Sequence, residues 1–165
     1  MMLLSFAAKL TNLVARWPGS THDSFIFTES LIGQHLERTQ PDYFLLGDSG
    51  YACSPYLLTP YPNPATRSQR RFNSSLKSTR STIERCFGIM KRRFRVLRDM
   101  RFRPERVFNV IIACGVLHNI AIDRKQPLPP DDDDDSSDDD GDMDDLYRGK
   151  NTGSAMRNYI AETYF

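Results

Sequence analysis

Two carboxylates stand in settings suited to chemistry. Asp48 follows an apolar run in Leu45-Leu46-Gly47-Asp48-Ser49-Gly50-Tyr51, and Glu84 lies inside the arginine-rich stretch from Arg80 to Phe94. Carboxylates are hard oxygen donors for Mg2+ or Mn2+, ions that keep several waters and substrate phosphate oxygens in their shell. Two such ions about 3.5–4 Å apart stabilise the attacking and leaving oxygens when a phosphodiester is displaced. Gly47 and Gly50 leave room beside Asp48 for a close ligand. Its plainer reading is a turn aspartate that closes a strand. The plainer reading of Glu84, four residues after Arg80, is a surface ion pair worth ~0.3–0.5 kcal/mol. His22-Asp23 is a third candidate, either as ligand and base or as a helix cap. No other acid has a comparable setting. His118, inside the most apolar segment and beside Asn119, reads as a hydrogen-bonded core histidine. Phosphate-cradling glycine loops, nucleophile elbows and zinc spacings are absent.

The charge distribution bounds the partners. The 165-residue chain has a formal net charge of +1. Residues 1–130 hold 19 Lys and Arg against 9 Asp and Glu, a net of +10, whereas residues 131–165 hold 3 against 12, a net of −9. Between residues 67 and 106 there are 14 Lys and Arg, opposed only by Glu84, Asp99 and Glu105. Arginine predominates, which suits forked contacts to phosphate. The pattern is that of a nucleic-acid-binding body with an acidic tail. Arg80, Arg85, Lys91, Arg92, Arg93 and Arg95 are the candidate phosphate contacts. The run from Lys91 to Arg95 equally resembles a nuclear import signal. Cys53, Cys86 and Cys114 are an odd set outside zinc spacing and read as reduced thiols, two of them in the core. No apolar run reaches the ~18 residues of a membrane span, and no basic segment precedes the apolar start as a secretory signal would require.

Certain elements must position these residues. Residues 3–17 read as extended chain ending at Pro18-Gly19, and Phe25 to Arg38 as one helix capped by Asp23 or Ser24. Residues 42–47 read as a short strand, and residues 52–66, with Pro55, Pro60, Pro62 and Pro64, as a loop. Ile83, Phe87, Met90, Phe94 and Leu97 form a core stripe on a helix from about Ser74 to Asp99, with Glu84 off that stripe. Pro104 opens a second helix, whose residues 107–123 are apolar nearly all round and should be buried. Three regions follow: a body over 1–126, a Pro/Asp-rich disordered linker over 127–145, and a short segment over 146–165 suited to a docking helix. Ser136 and Ser137 in the linker suit an acid-directed kinase.

Four segments together carry a family resemblance. They are Ala15-Arg16-Trp17-Pro18-Gly19-Ser20-Thr21-His22-Asp23-Ser24, the Leu46 to Tyr51 motif, the Arg80 to Phe94 stretch, and Ala113-Cys114-Gly115-Val116-Leu117-His118-Asn119. In this order they resemble the PIF/Harbinger transposases and the nucleases derived from them. The resemblance implies an α/β, ribonuclease H-like fold: a mixed β-sheet flanked by helices. It implies a DNA endonuclease with an acidic site binding two divalent metal ions, Mg2+ or Mn2+. Asp48 and Glu84 inherit the second and third acidic positions of that site, and Asp23 is an additional acidic site residue. The family's first aspartate, on a strand upstream of Ala15, has no match, so the chain corresponds to the C-terminal portion of such a protein. The resemblance also implies nuclear localisation and a Myb/SANT-like partner that supplies DNA reading. The competing expectation is a catalytically inactive fragment that binds nucleic acid or a partner protein.

Overall fold

The computed structural model describes residues 2–5, 8–14, 17, 21–130 and 152–165. The expectations for Pro18-Gly19 and for the acidic run with Ser136 and Ser137 lie outside these residues. The described chain divides into two compact units, one drawn from Met1–Pro18 and Arg80–Asp140, the other from Gly19–Thr79 and Gly141–Phe165.

The first unit is built on a hairpin and the apolar helix. Strands β1 (Met2–Leu4) and β2 (Leu10–Leu13) pair antiparallel with a register irregularity between Leu3 and Leu4. The turn between them places Ala8 in the left-handed region at φ 55°, which costs a residue with a Cβ about 1 kcal/mol or more. Its hydrogen bonds run from Ala8 N–H to the Ser5 carbonyl and from Ser5 N–H to the Lys9 carbonyl.

The apolar helix packs on β2 through a short sequence with a distinct job for each residue. Gly115 permits close approach, because a Cβ there would meet the Leu13 and Leu10 side chains at 2.9 and 3.0 Å. One turn on, the Asn119 amide accepts from Leu10 N–H and donates to the Leu10 carbonyl, both at 2.8 Å. This side chain occupies the hydrogen-bonding position of a neighbouring strand. His118 is 1 % exposed, and its Nε2 lies 3.0 Å from the Ala8 carbonyl and 3.5 Å from Cys86 Sγ. It is the bonded core histidine expected from sequence. Leu10, Cys86, Met90 and Cys114 form the apolar centre, closed by Leu4, Phe94, Leu97 and Val110.

The second unit holds a parallel pair, β3 (Leu45–Leu46) and β4 (Leu57–Leu58), with Leu45 opposite Leu57 and Leu46 opposite Leu58. β4 lies inside the stretch expected to be loop. Prolines cannot donate to a ladder, but Leu57 and Leu58 fall between Pro55 and Pro60 and supply the carbonyl and apolar side chains the pair needs. The helix expected over Phe25 to Arg38 is two, α1 (Asp23–Thr28) and α2 (Leu31–Thr39). Ser30 makes the break. Its hydroxyl accepts from Gly33 N–H and donates to the Phe27 carbonyl, and a Cβ on Gly33 would collide with that carbonyl. Neither Asp23 nor Ser24 caps α1, since His22 is the N-cap and Asp23 is the first helical residue.

α3 (Arg67–Arg93) begins seven residues earlier than expected and ends before a 3-10 turn at Arg95–Leu97. The apolar centre of the second unit is Leu58, Tyr61, Phe72, Leu76 and Ala161. Ala161 belongs to α5 (Ser154–Tyr164), a helix within the C-terminal segment. It is held by buried Arg157, which donates to the Thr59 and Pro60 carbonyls and lies 4.1 Å from the Tyr61 ring centre. Asn158 accepts from the Tyr61 hydroxyl at 2.8 Å.

Two burial expectations are corrected. α4 (Pro104–Asp123) is one-sided: Ile112, Val116, Leu117 and Ile120 are exposed, Val116 by 55 %. Over residues 106–123 α4 is long and apolar enough, by length and composition alone, to cross a membrane, which corrects the expectation that no apolar run reaches that length. Its other face is engaged by the hairpin through Gly115, His118 and Asn119. Phe87, placed on the core stripe of α3 by its spacing, is 44 % exposed. The buried line instead passes through Cys86, Ile89 and Met90, one residue around the helix. The α/β class stands, but among the described residues the strands form two separate two-stranded sheets.

Candidate active-site residues

Asp48 sits just past the carboxyl end of β3, where parallel strands commonly present ligand-binding groups. The backbone fixes it there. Leu45 N–H donates to the Tyr56 carbonyl, and Gly47 N–H to the Leu58 carbonyl, locking the strand on either side of Leu46. Asp48 Oδ1 then accepts from Gly50 N–H at 2.9 Å, and Tyr51 N–H turns back to the Asp48 carbonyl at 3.3 Å. The aspartate therefore shapes its own turn, which was the plainer reading, and carries a carboxylate at the strand end as well.

Tyr51 joins Asp48 to Asp23 and was not singled out from sequence. Its ring packs edge-on against Phe27 of α1 at 5.9 Å, and a Cβ on Gly47 would touch it at 3.2 Å. Gly47 thus leaves room for the Tyr51 ring. Burial pushes the Tyr51 phenol well above the ordinary tyrosine range, and the negative charges of Asp23 and Asp48 push it further. Both carboxylates therefore bear on one phenol within one unit. The only signal in the sequence was the tyrosine closing the Gly-Asp-Ser-Gly-Tyr turn.

A titration follows from this. The unfolded chain releases the Tyr51 proton near pH ~10, whereas the folded chain holds it. The folded state then binds more protons than the unfolded one, so stability falls as pH rises through ~10. Denaturant unfolding at pH 8 and pH 11 is expected to show a smaller alkaline loss in Tyr51→Phe than in wild type. Equal losses would place the alkaline sensitivity elsewhere.

Glu84 belongs to the other unit, on the exposed side of α3. Its face includes Gly88 and Lys91, and it is turned away from buried Cys86, Ile89 and Met90. Arg85, Lys91 and Arg95 are exposed, and Arg80, Arg92 and Arg93 partly so. Arg93 donates to the Pro127 carbonyl at 3.2 Å, so part of its hydrogen-bonding capacity is structural. Burial pushes the Cys86 and Cys114 thiols up, and all three cysteines are buried and in no disulfide, as expected of core thiols.

Asp48, Asp23 and Glu84 have the oxygen donors that a hard divalent ion prefers. Among the described residues, however, no three His, Cys, Asp or Glu side chains converge on one point.

Residues 3–119 match the family of DDE superfamily endonucleases, and the chain belongs to that family. Its relatives include the Mus musculus protein named "Putative nuclease HARBI1", 34 % identical over 128 residues, which are 74 % of this chain and 37 % of that protein. The Homo sapiens protein of the same name is 32 % identical over 128 residues, with the same coverage. "Protein ALP1-like" from Arabidopsis thaliana is 30 % identical over 132 residues, 70 % of this chain and 32 % of that protein. The chain thus spans about a third of the length of these relatives. No solved structure matches it. DDE endonucleases generally use divalent metals, which agrees with the carboxylate chemistry of the candidate residues.

Proposed function

We propose that this chain is the nuclease segment of a divalent-metal-dependent DNA endonuclease of the Harbinger type, with a ribonuclease H-like fold and a nuclear place of work. Asp48 and Glu84 are its catalytic carboxylates, and together with Asp23 they hold two Mg2+ or Mn2+ ions. Arg80, Arg85, Lys91, Arg92, Arg93 and Arg95 hold the DNA phosphates. A Myb/SANT-like partner supplies sequence reading. The observation that carries this reading is the family match over residues 3–119, which contains a strand-end aspartate and a glutamate on a basic helix face. When bound, such ions activate water and stabilise the leaving oxygen.

The test is nicking of supercoiled DNA by the folded chain with Mn2+, with Mg2+ and with EDTA. Nicking with either ion and none with EDTA is expected. A folded chain that binds DNA but nicks it under no condition would replace the enzyme reading with that of a non-catalytic DNA-binding protein.

A further inference from the structure

Helix interiors disfavour glycine more than any residue but proline, so a helical glycine asks for a reason. Two of the three described helical glycines have one inside the chain. Gly33 faces the Phe27 carbonyl, and Gly115 faces Leu10 and Leu13. Among the described residues Gly88 has none. A Cβ built on it would find, of those residues, a single neighbour within 4 Å, Nη1 of Arg92 at 3.8 Å, which is ordinary van der Waals contact. An alanine would fit there without displacing any described residue.

What surrounds Gly88 indicates what the missing side chain leaves room for. Glu84 lies one turn before it and Lys91 about one turn after, both exposed on the same side of α3. Exposed Phe87 and Arg85 flank it. The Arg92 guanidinium reaches back towards half-buried Gly88, setting N–H donors beside the helix backbone there. Guanidinium donors, a neighbouring ammonium and an exposed aromatic ring are the groups that receive a phosphate and its attached nucleoside.

We propose that Gly88 is a point of close approach, where a DNA strand lies directly on the α3 backbone with a phosphate between Gly88 and the Arg92 guanidinium. The strand is thereby held one helical turn from Glu84. This rests on the nuclease reading above and adds a specific contact to it.

The experiment is an anisotropy titration of a labelled DNA duplex against wild type, Gly88→Ala, Gly88→Leu, Arg92→Ala and Ser74→Leu, each with a thermal melt. Gly88→Leu is expected to weaken binding about tenfold, the worth of one charge-assisted phosphate contact, and Gly88→Ala by less. Both should melt at or above the wild-type temperature, because alanine and leucine each favour the helix over glycine. Ser74→Leu adds the same bulk at another exposed α3 position and should bind as wild type does. Should Gly88→Leu misfold, Gly88→Ala decides the matter. Weakened binding in Arg92→Ala with wild-type binding in both Gly88 variants would overturn the close contact and leave the DNA reading intact. A wild type that binds no DNA would remove both.

Discussion

Asp48→Asn and Glu84→Gln are each expected to lower Mn2+-dependent nicking by about 100-fold or more, with DNA affinity changed less than about twofold. Both substitutions keep the shape and remove the charge. The asparagine can still accept from Gly50 N–H through its own Oδ1, so the turn after β3 survives. Glu84 is exposed, so glutamine there disturbs no core. Neutral amides bind a hard divalent ion far more weakly than carboxylates do. Removing a negative charge from a phosphate-facing surface does not oppose DNA binding. A drop in cleavage without a drop in binding therefore separates metal ligands from DNA contacts. Cleavage retained in either variant would sink that residue's assignment, and a matching loss of affinity would make it a positioning residue for DNA.

Asn119→Ala should destabilise the first unit by about 2–4 kcal/mol, because it strips both the donor and the acceptor of Leu10 of their partner. Leu10 is buried, so water does not readily replace the amide. The measurement is denaturant unfolding combined with amide hydrogen exchange, in which the Leu10 amide should lose protection more than the other β2 amides. A loss below about 1 kcal/mol with Leu10 still protected would mean that the strand finds another partner.

The sequence displayed the local settings of the candidate residues more clearly than their surroundings. Glu84 on a helix face and Asp48 at a strand end were legible because each lies in a local pattern, helical spacing in one case and an apolar run closed by glycine in the other. The Ser30 break was harder to see, since it depends on a hydroxyl bridging two helices and on a carbonyl that only glycine at 33 tolerates. β4 was missed because two residues among prolines carry no periodicity. The exposed side of α4 was also hidden: an all-apolar sequence indicates burial, but only tertiary contacts show which side is covered. Tyr51 was passed over for a similar reason. Its link to Asp23 and Asp48 comes from α1 packing onto it through Phe27.

The Asn119 amide on Leu10 has a consequence for how this chain behaves in a crowd of copies. A strand edge with open donors and acceptors recruits other strands, the first step towards intermolecular β-aggregation. At Leu10 that invitation is withdrawn, because the amide already fills both hydrogen-bonding positions and belongs to a helix that no incoming strand can displace without unpacking it. The hairpin is thus guarded at this register by a single side chain, one helical turn from the ion pair that Lys9 makes with Asp123.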